Sequence, residues 1–374
     1  MNLTLVQTIF TGLLTLSLLA QLAYYWGIYA RLAFGHYEEE NSSKKLPAVS
    51  VVVAARDEYH HLKKNLPALL SQDYPDFEVI VVNHASKDET TDYLKKMQQT
   101  NPQLKVINIE QDLNFFHGKK FPLSIGIKSA KNDILVLTDA DCKPVSNQWV
   151  RQIAQKYDAN TEIVLAYGPY EKEKGFLNKV IRYDTFMVAM QYLSYALAGM
   201  PYMGVGRNLS YRKSLFFKNH GFTSHYDVSS GDDDLFVNQA ATSTNTKVVI
   251  DAQSFVYSEP KHHWKEWFIQ KTRHFSSGKK YKRKFKWLLG GYNFSLAFFY
   301  VGLLGLLLTK TWLPVVLGAF LVRFLSQLII HHKILKRLHE SQLLLFSLFW
   351  EPIYIPLLAF LGILGLTRKS IQWK

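Results

Sequence analysis

The chain has 374 residues, a formal net charge of +14 at pH 7 and 48% hydrophobic residues. This length exceeds one ordinary domain and is consistent with one large domain plus membrane segments. The single cysteine, Cys142, excludes a disulfide bond within the chain. The positive charge could indicate a nucleic-acid partner, but the basic residues cluster beside apolar segments. We therefore predict that these basic residues flank membrane-spanning segments and contact anionic membrane lipids, and that the protein does not bind nucleic acid.

The N-terminal segment is apolar and long enough to cross a membrane. Residues 1–30 contain no charged side chain, and a spanning helix needs about 20 residues. A cleaved signal peptide is disfavoured because the run is too long and has neither a basic start nor a small-residue cleavage site. The end of this segment has aromatic side chains followed by a basic one, which is typical of a membrane–water interface: Tyr24, Tyr25, Trp26, Tyr29 and Arg31. We predict a transmembrane helix over residues 1–34.

The middle of the chain alternates between strand-like and helix-like segments. Continuous apolar runs predict strands at residues 49–54, 78–82, 104–109, 134–138, 163–167 and 247–250. Helical periodicity predicts helices at residues 60–70, 91–98 and 122–130. This alternation is typical of a doubly wound, Rossmann-like α/β sheet, which binds ligands at the carboxyl ends of its strands. The first strand is not followed by Gly-x-Gly-x-x-Gly, which argues against a dinucleotide oxidoreductase, and no Walker-type phosphate loop is present.

Two aspartates follow directly on one of these apolar runs. Asp139 and Asp141 are one residue apart, and residues i and i+2 of a strand point to the same side. At a strand end, this spacing can direct both carboxylates at one hard cation, which would neutralise the diphosphate of a nucleotide-sugar donor. Ordinary turn chemistry is the alternative for this tripeptide.

Three further apolar segments close the chain, at residues 288–308, 312–330 and 343–366. The second contains Arg323, and the third contains Glu351 followed by Pro352 and Pro356, which would interrupt it. An isolated charge inside a membrane span costs on the order of several kcal/mol, so we expect Arg323 and Glu351 to approach each other or to line one polar cavity. We predict a transmembrane region over residues 287–374 with about three segments. The last segment is expected to be re-entrant or kinked, since three full spans would place the basic tail at residues 368–374 outside the cell.

Eight short motifs follow one another in the middle region, at residues 50–58, 72–82, 83–90, 118–120, 139–141, 204–211, 231–235 and 270–274. In this order, they resemble the motifs of family 2 glycosyltransferases with the GT-A fold, in the integral-membrane form. The resemblance covers residues 47–278. It implies a GT-A catalytic domain with interfacial helices over residues 35–286.

The resemblance also implies roles for individual residues. Asp139 and Asp141 would hold Mg²⁺ or Mn²⁺, with Asp141 as the more direct ligand. Asp232 would be the general base, counting back from Leu235, although Asp233 is an alternative. Gln270 and Arg273, three residues apart on one helix face, would act with it at the donor diphosphate. The residues expected to bind substrate are Ala55, Arg56, Glu58, Asn83, Asp88, Lys120, Asp139, Asp233 and His274, with Lys119 as the alternative to Lys120.

Two positions depart from the family pattern. Asn83 and His84 stand where the family has paired aspartates, and His274 stands where it has a tryptophan that supports a sugar acceptor. The second departure disfavours a long polysaccharide product. The apolar residues 186–202 predict either an interfacial surface for an acceptor lipid or a buried core helix.

The sequence therefore predicts a membrane-bound inverting glycosyltransferase of the bacterial cell envelope. Its catalytic domain would face the cytoplasm at the inner membrane, and it would move a sugar from a nucleotide-sugar donor, a UDP-sugar, to a lipid-linked or glycan acceptor. The alternatives are a processive polysaccharide synthase and a non-catalytic membrane scaffold that retains the fold. A channel or transporter is disfavoured by the large non-membrane domain.

Overall fold

The computed structural model describes residues 4–35, 46–111, 118–228 and 230–367, and side chains as far as residue 365. The chain divides into two compact units. One unit is helical and joins the N-terminal segment to residues 281–363, whereas the other contains the middle of the chain up to Lys280 and the stretch from Leu364. The basic tail at residues 368–374 lies outside the described residues.

The strands belong to the middle unit: β1 (Val49–Ala55), β2 (Phe77–His84), β3 (Leu104–Ile109), β4 (Ile134–Asp139), β5 (Cys142–Pro144), β6 (Ile163–Ala166), β7 (Leu209–Arg212), β8 (Thr246–Val249) and β9 (Val256–Ser258). The helices are α1 (Leu5–Leu22), α2 (Ala30–Phe34), α3 (Tyr59–Leu70), α4 (Thr90–Thr100), α5 (Lys120–Ser129), α6 (Trp149–Ala154), α7 (Phe176–Leu197), α8 (Lys213–Lys218), α9 (Asp234–Ala240), α10 (Trp264–Ser277), α11 (Arg283–Leu308), α12 (Leu313–Arg337) and α13 (Leu344–Thr367). A π-helical stretch, Ala23–Tyr29, joins α1 to α2.

The main sheet has the order β3-β2-β1-β4-β7-β6-β8, and β5 pairs with β9 in a small separate sheet. β1 is buried along its whole length, as expected of a parallel strand covered on both faces. The predicted α/β class with a GT-A, Rossmann-like sheet is confirmed, and the six predicted strands are all present. β7 was not predicted, because Leu209–Arg212 mixes apolar and polar residues and is not a continuous apolar run, and it runs antiparallel to both β4 and β6.

The helix α7 belongs to the core of the middle unit. Its apolar side chains Phe186, Met187, Met190 and Leu193 are all buried. The core-helix alternative for this segment is therefore correct. The acceptor-lipid surface is wrong, because these side chains are already covered by protein.

The helical unit contains helices that are long and apolar enough to cross a membrane. The candidate spans are Leu5–Phe34, Arg283–Leu308, Leu313–Arg337 and Ser341–Gly365. Close approach of α1 and α11 depends on a small residue, since a Cβ added to Gly302 would lie 2.8 Å from the backbone nitrogen of Leu14. The prediction that prolines interrupt the last segment is wrong, because α13 continues through Pro352 and Pro356.

A buried ion pair joins α12 and α13. Arg323 Nη2 lies 2.8 Å from Glu351 Oε2, and the two residues are 1% and 0% exposed. The hydroxyl of Tyr300 donates a hydrogen bond to the same carboxylate at 3.0 Å. The Arg323 guanidinium also donates a hydrogen bond to Gln21 Oε1 at 3.2 Å. The predicted approach of the two charges is confirmed, and four segments of the helical unit contribute to it.

Candidate active site

The carboxyl ends of β1 and β4 meet at one edge of the main sheet. The two strands are parallel neighbours, and Ala54 is in register with Asp139. From β1 the chain builds the sheet outward on one side through β2 and β3, and it then crosses over to place β4 on the other side of β1. Crevices at such reversal points are where open α/β sheets bind ligands. Arg56 and Glu58, which follow β1, are therefore brought to the same edge as the aspartate pair, whereas the strand residue Ala55 is fully buried.

Hydrogen bonds between two loops brace this edge. Asp57 has a positive φ of 54° and accepts a hydrogen bond from the Lys87 amide at 2.7 Å. Asp88 accepts hydrogen bonds from the amides of Tyr59 and Thr90, at 3.0 Å each. Burial would raise the pKa of Asp88, but hydrogen bonds from Thr90 and Tyr59 lower it below its usual value. The carboxylate of Asp88 thus fixes the starts of α3 and α4 and shapes the loop between the strands.

Two further predicted substrate residues have partners within the protein. Asn83 is 3% exposed, and its side-chain amide donates to Thr91 on α4 and to Asn108 on the neighbouring strand β3. Glu58 contacts the imidazole of His61 on the first turn of α3. We therefore do not retain Asn83 as a contact for a base or ribose, because burial removes it from the loop surface. Glu58 is part of a local pair beside the aspartates.

The aspartate pair forms the acidic group of the site. Asp139 and Asp141 each offer a carboxylate oxygen within 4.8 Å of the other and of Cys142 Sγ. Burial and the charge of Asp139 raise the pKa of Asp141, so a cation here would relieve electrostatic strain. The turn between the two residues is fixed by Asn65, whose amide donates to the Ala140 carbonyl at 3.0 Å. Two carboxylates on a fixed turn fit a hard divalent cation.

Cys142 does not fit the same cation. Its Sγ lies 2.9 Å from Ser258 Oγ and is fully buried. Burial, followed by the charge of Asp141, raises the pKa of the thiol well above its usual value. A protonated thiol is a poor ligand, and hard cations prefer oxygen. Asp139 and Asp141 are therefore the candidate protein ligands.

Lys119 connects the aspartate pair to the acidic motif before α9. Its amine forms an ion pair with Asp139 and lies 3.7 Å from Asp232 Oδ2. Burial alone would lower the pKa of Lys119, but the carboxylates of Asp139 and Asp232 raise it above its usual value. The lysine therefore stays protonated between the two acidic groups.

Lys120 does not reach this cluster. It is 1% exposed, and its amine donates to the carbonyl oxygens of His225 and Val228 at 2.6 Å each. Of the two lysines that the sequence offered, Lys119 lies beside the aspartates, whereas the amine of Lys120 is bonded within the protein. Adjacent residues on a helix face different directions, and the sequence left this choice open.

The three consecutive aspartates before and within α9 have different partners. Asp232 faces Lys119, whereas Asp233 accepts a hydrogen bond from the Gly206 amide at 2.7 Å and caps α9. Asp234 is buried and accepts a hydrogen bond from Ser277. Burial, followed by the charges of Asp232 and Asp234, raises the pKa of Asp233 to about 7. Of the three carboxylates, Asp232 is the one placed beside the ion pair that reaches Asp139.

The motif on α10 approaches a second group of polar residues. Gln270 donates to the hydroxyl of Tyr170 at 3.2 Å, and the Arg207 guanidinium lies 4.6 Å from the centre of the Tyr170 ring. The backbone carbonyl of Arg273 accepts a hydrogen bond from Ser230 at 3.3 Å. His274, on the same helix, is exposed.

Arg207 and Tyr170 were not predicted as site residues. Arg207 lies inside the motif at residues 204–211, which was a usable signal. No sequence signal indicated Tyr170, because only the fold brings this residue close to Gln270.

Comparison with known proteins agrees with this architecture. The model of the family described as "Glycosyl transferase family 2" matches residues 50–220. An uncharacterized glycosyltransferase of Haemophilus influenzae is 28% identical over 138 residues, which cover 35% of this chain and 40% of the relative. The probable glycosyltransferase YdaM of Bacillus subtilis is 23% identical over 241 residues, 62% of this chain and 55% of the relative. The chain thus spans about half or less of the length of these relatives.

A solved structure has a similar fold. It is a mannosyltransferase from Pyrobaculum calidifontis in complex with GDP-mannose and Mn²⁺. Its TM-score is 0.59 at 20% identity, and the match covers 92% of this chain and 98% of that one. Residues 50–220 therefore match a family 2 glycosyltransferase domain, and the fold is similar to that of a solved GT-A glycosyltransferase.

Proposed function

We propose that this protein is a membrane-bound, metal-dependent, inverting glycosyltransferase. It would move a sugar from a nucleotide-sugar donor to a lipid-linked or membrane-proximal glycan acceptor. The observation that carries the proposal is the arrangement around Lys119, which contacts Asp139 and lies 3.7 Å from Asp232. The GDP-mannose and Mn²⁺ bound to the similar mannosyltransferase support a nucleotide-sugar donor and a divalent cation.

The donor end of the site would be built on the aspartate pair. Asp139 and Asp141 would hold Mg²⁺ or Mn²⁺, which when bound offsets charge on the leaving nucleoside diphosphate. Lys119 would add a charge-assisted hydrogen bond to the same diphosphate. Arg56 lies at the adjacent loop, after β1, and would contact the nucleotide. A UDP-sugar remains the predicted donor.

The acceptor end would depend on Asp232. Its carboxylate would take the proton of the acceptor hydroxyl while that oxygen bonds to the anomeric carbon and the bond to the diphosphate breaks. This single displacement inverts the anomeric configuration. Gln270, Tyr170 and Arg207 form a polar and aromatic group that would position the acceptor, together with His274 on the helix of Gln270. Arg273, on the same helix as Gln270, would pair with the donor diphosphate.

The membrane segments suggest where the reaction occurs. In the part of the chain that the structure describes, four helices are long and apolar enough to cross a membrane, so the acceptor would be presented at the membrane surface. Nucleotide sugars are made in the cytoplasm, and the middle unit would therefore face that side of a bacterial inner membrane. Anionic lipids would contact the basic residues that flank α11.

The full chain in lipid nanodiscs provides the test. It would be incubated with radiolabelled UDP- and GDP-sugars, lipid extract and Mg²⁺ or Mn²⁺. We expect label in one small lipid-linked product, its loss with EDTA, and its absence with Asp141→Asn. Exposed Asp92→Asn is the matched control. A long polymer as the product would favour the processive synthase. The absence of both sugar transfer and donor binding would favour the non-catalytic scaffold.

A further inference from the structure

Lys120 holds a distant turn of the chain. Its amine is buried and donates to the carbonyl oxygens of His225 and Val228, 105 and 108 positions away in sequence. Both distances are 2.6 Å. Hydrogen bonds from a charged donor are stronger than those between neutral groups, particularly where water is excluded. The lysine therefore fixes the turn at residues 225–228 to the first turn of α5.

This turn leads directly to the acidic motif. Asp232 follows Val228 by four positions, and the turn also contacts α5 through Tyr226, whose hydroxyl lies 3.3 Å from Ser124 Oγ. Asp227 forms an ion pair with Lys280, but 68% of the Asp227 side chain is exposed, so solvent screens it. Lys120 is thus a buried charged contact that holds the turn before the base.

We propose that Lys120 is a positioning residue for the general base: it holds the turn at residues 225–228 so that Asp232 stays beside Lys119. This inference rests on the proposed function, since it assigns Asp232 to proton transfer. Lys120 itself touches neither the aspartate pair nor the reacting atoms. It acts through the backbone of the turn.

The charge of Lys120 makes this contact sensitive to pH. Burial lowers the pKa of Lys120 to about 8, against the opposing effect of nearby carboxylates. The charged or titratable groups that face it are Asp232, Asp234, Asp227, Lys280 and His225. His225 has its own pKa lowered to about 4, chiefly by burial, so it is neutral in the range of interest. Because this pKa lies below the ordinary value of 10.5, the closed turn holds the neutral amine better than the ammonium, so above a pH of about 8 the loss of the proton should strengthen the hold. The neutral amine keeps N–H donors for both carbonyl oxygens.

The variants Lys120→Met and Lys120→Arg would be compared with Lys128→Met, an exposed lysine on the same helix. We expect Lys120→Met to lower kcat by about 10- to 100-fold, the usual scale for a displaced catalytic group, with little change in donor KM. Lys120→Arg keeps hydrogen-bond donors but adds bulk and a permanent charge, so it should recover only part of the lost kcat. Lys128→Met should match wild type in both respects.

Hydrogen exchange gives a readout that does not require transfer activity. Amides of residues 225–228 should exchange faster in Lys120→Met. In wild type, after correction for the ordinary base catalysis shown by Lys128→Met, their protection should increase above a pH of about 8, because the closed turn favours the neutral amine. Lys120→Arg should show no such increase, because arginine stays charged. The inference is overturned if this protection is the same in all variants. If Lys120→Met does not fold, the comparison of wild type with Lys120→Arg above a pH of about 8 decides. If wild type is inactive but shows the expected exchange pattern, the result contradicts the proposed function and still supports the contact of Lys120 with the turn at residues 225–228.

Discussion

Asp232, Asp233 and Asp234 are neighbours in sequence, but each carboxylate has a different environment. Asp232 is beside Lys119, Asp233 accepts from the Gly206 amide, and Asp234 accepts from Ser277. Three adjacent negative charges repel one another, and separate partners let the fold tolerate them. The assignment of one base therefore depends on these contacts.

The first prediction concerns proton transfer. Asp232→Asn should lower kcat by about 10²- to 10⁴-fold, because an amide cannot take the acceptor proton. Donor affinity should survive, since Asp139 and Asp141 are unchanged. Steady-state kinetics and donor binding would be measured together. Normal turnover by Asp232→Asn with an inactive Asp233→Asn would move the base by one position.

The second prediction concerns Asp233 and the pH dependence of stability. Its pKa of about 7 lies above the ordinary value of 3.8, so between these values the native state binds a proton that the unfolded state has lost. Stability should therefore fall as pH rises through this window. Asn stays neutral, so the melting temperature of Asp233→Asn relative to wild type should increase from pH 4 to pH 7 and then level off.

Thermal unfolding in detergent would measure this difference. Asp92→Asn, on the exposed face of α4, is the matched control and should show no such trend. A flat difference for Asp233→Asn across the whole range would contradict the raised pKa.

At the scale of elements, the turn between β4 and β5 should determine metal use. EDTA should abolish transfer, and Mg²⁺ or Mn²⁺ should restore it. Asp141→Asn should weaken Mn²⁺ binding, measured by electron paramagnetic resonance, because it removes a carboxylate ligand. Cys142→Ser should keep the metal requirement, since the thiol is held by Ser258. Full activity in excess EDTA would contradict the assignment of Asp139 and Asp141 as metal ligands.

The pair between α12 and α13 allows a further prediction. Arg323→Met or Glu351→Gln alone should destabilise the helical unit, because each single change removes one partner of a buried ion pair; for such pairs the cost is about 3–5 kcal/mol. The double variant should be more stable than the sum of the single changes predicts. A double-mutant cycle on unfolding in detergent measures this coupling. Simple additivity would show that the two charges do not depend on each other.

At the scale of the whole molecule, the proposed orientation can be read from cysteine labelling. The natural Cys142 is buried, so background labelling by a maleimide should be low. In right-side-out vesicles, Lys95→Cys on α4 should be protected from an impermeant maleimide until the membrane is opened. Lys310→Cys, between α11 and α12, should be labelled at once. The reverse pattern would place the middle unit outside the cytoplasm.

Most of the architecture could be predicted from sequence because its signals are local. Continuous apolar runs define buried strands and membrane helices wherever they occur, and Asp139 and Asp141 could be placed at a strand end from their spacing alone. The pairing of Arg323 with Glu351 also followed from composition, since an unpaired charge in a span is costly. The strand β7 was missed because its sequence, Leu-Ser-Tyr-Arg, is not a continuous apolar run.

Only the tertiary structure decided which candidates meet. Lys119 and Lys120 are adjacent, and the rotation of α5 sends one to the acidic cluster and the other to the turn at residues 225–228. The contact of Gln270 with Tyr170 joins positions 100 residues apart, and no local pattern encodes it. The burial of Asn83 likewise depends on α4 and β3, which supply its hydrogen-bond partners Thr91 and Asn108. Sequence periodicity reports which side of an element is covered, whereas the partner of a polar side chain is set by the packing of elements distant in the chain.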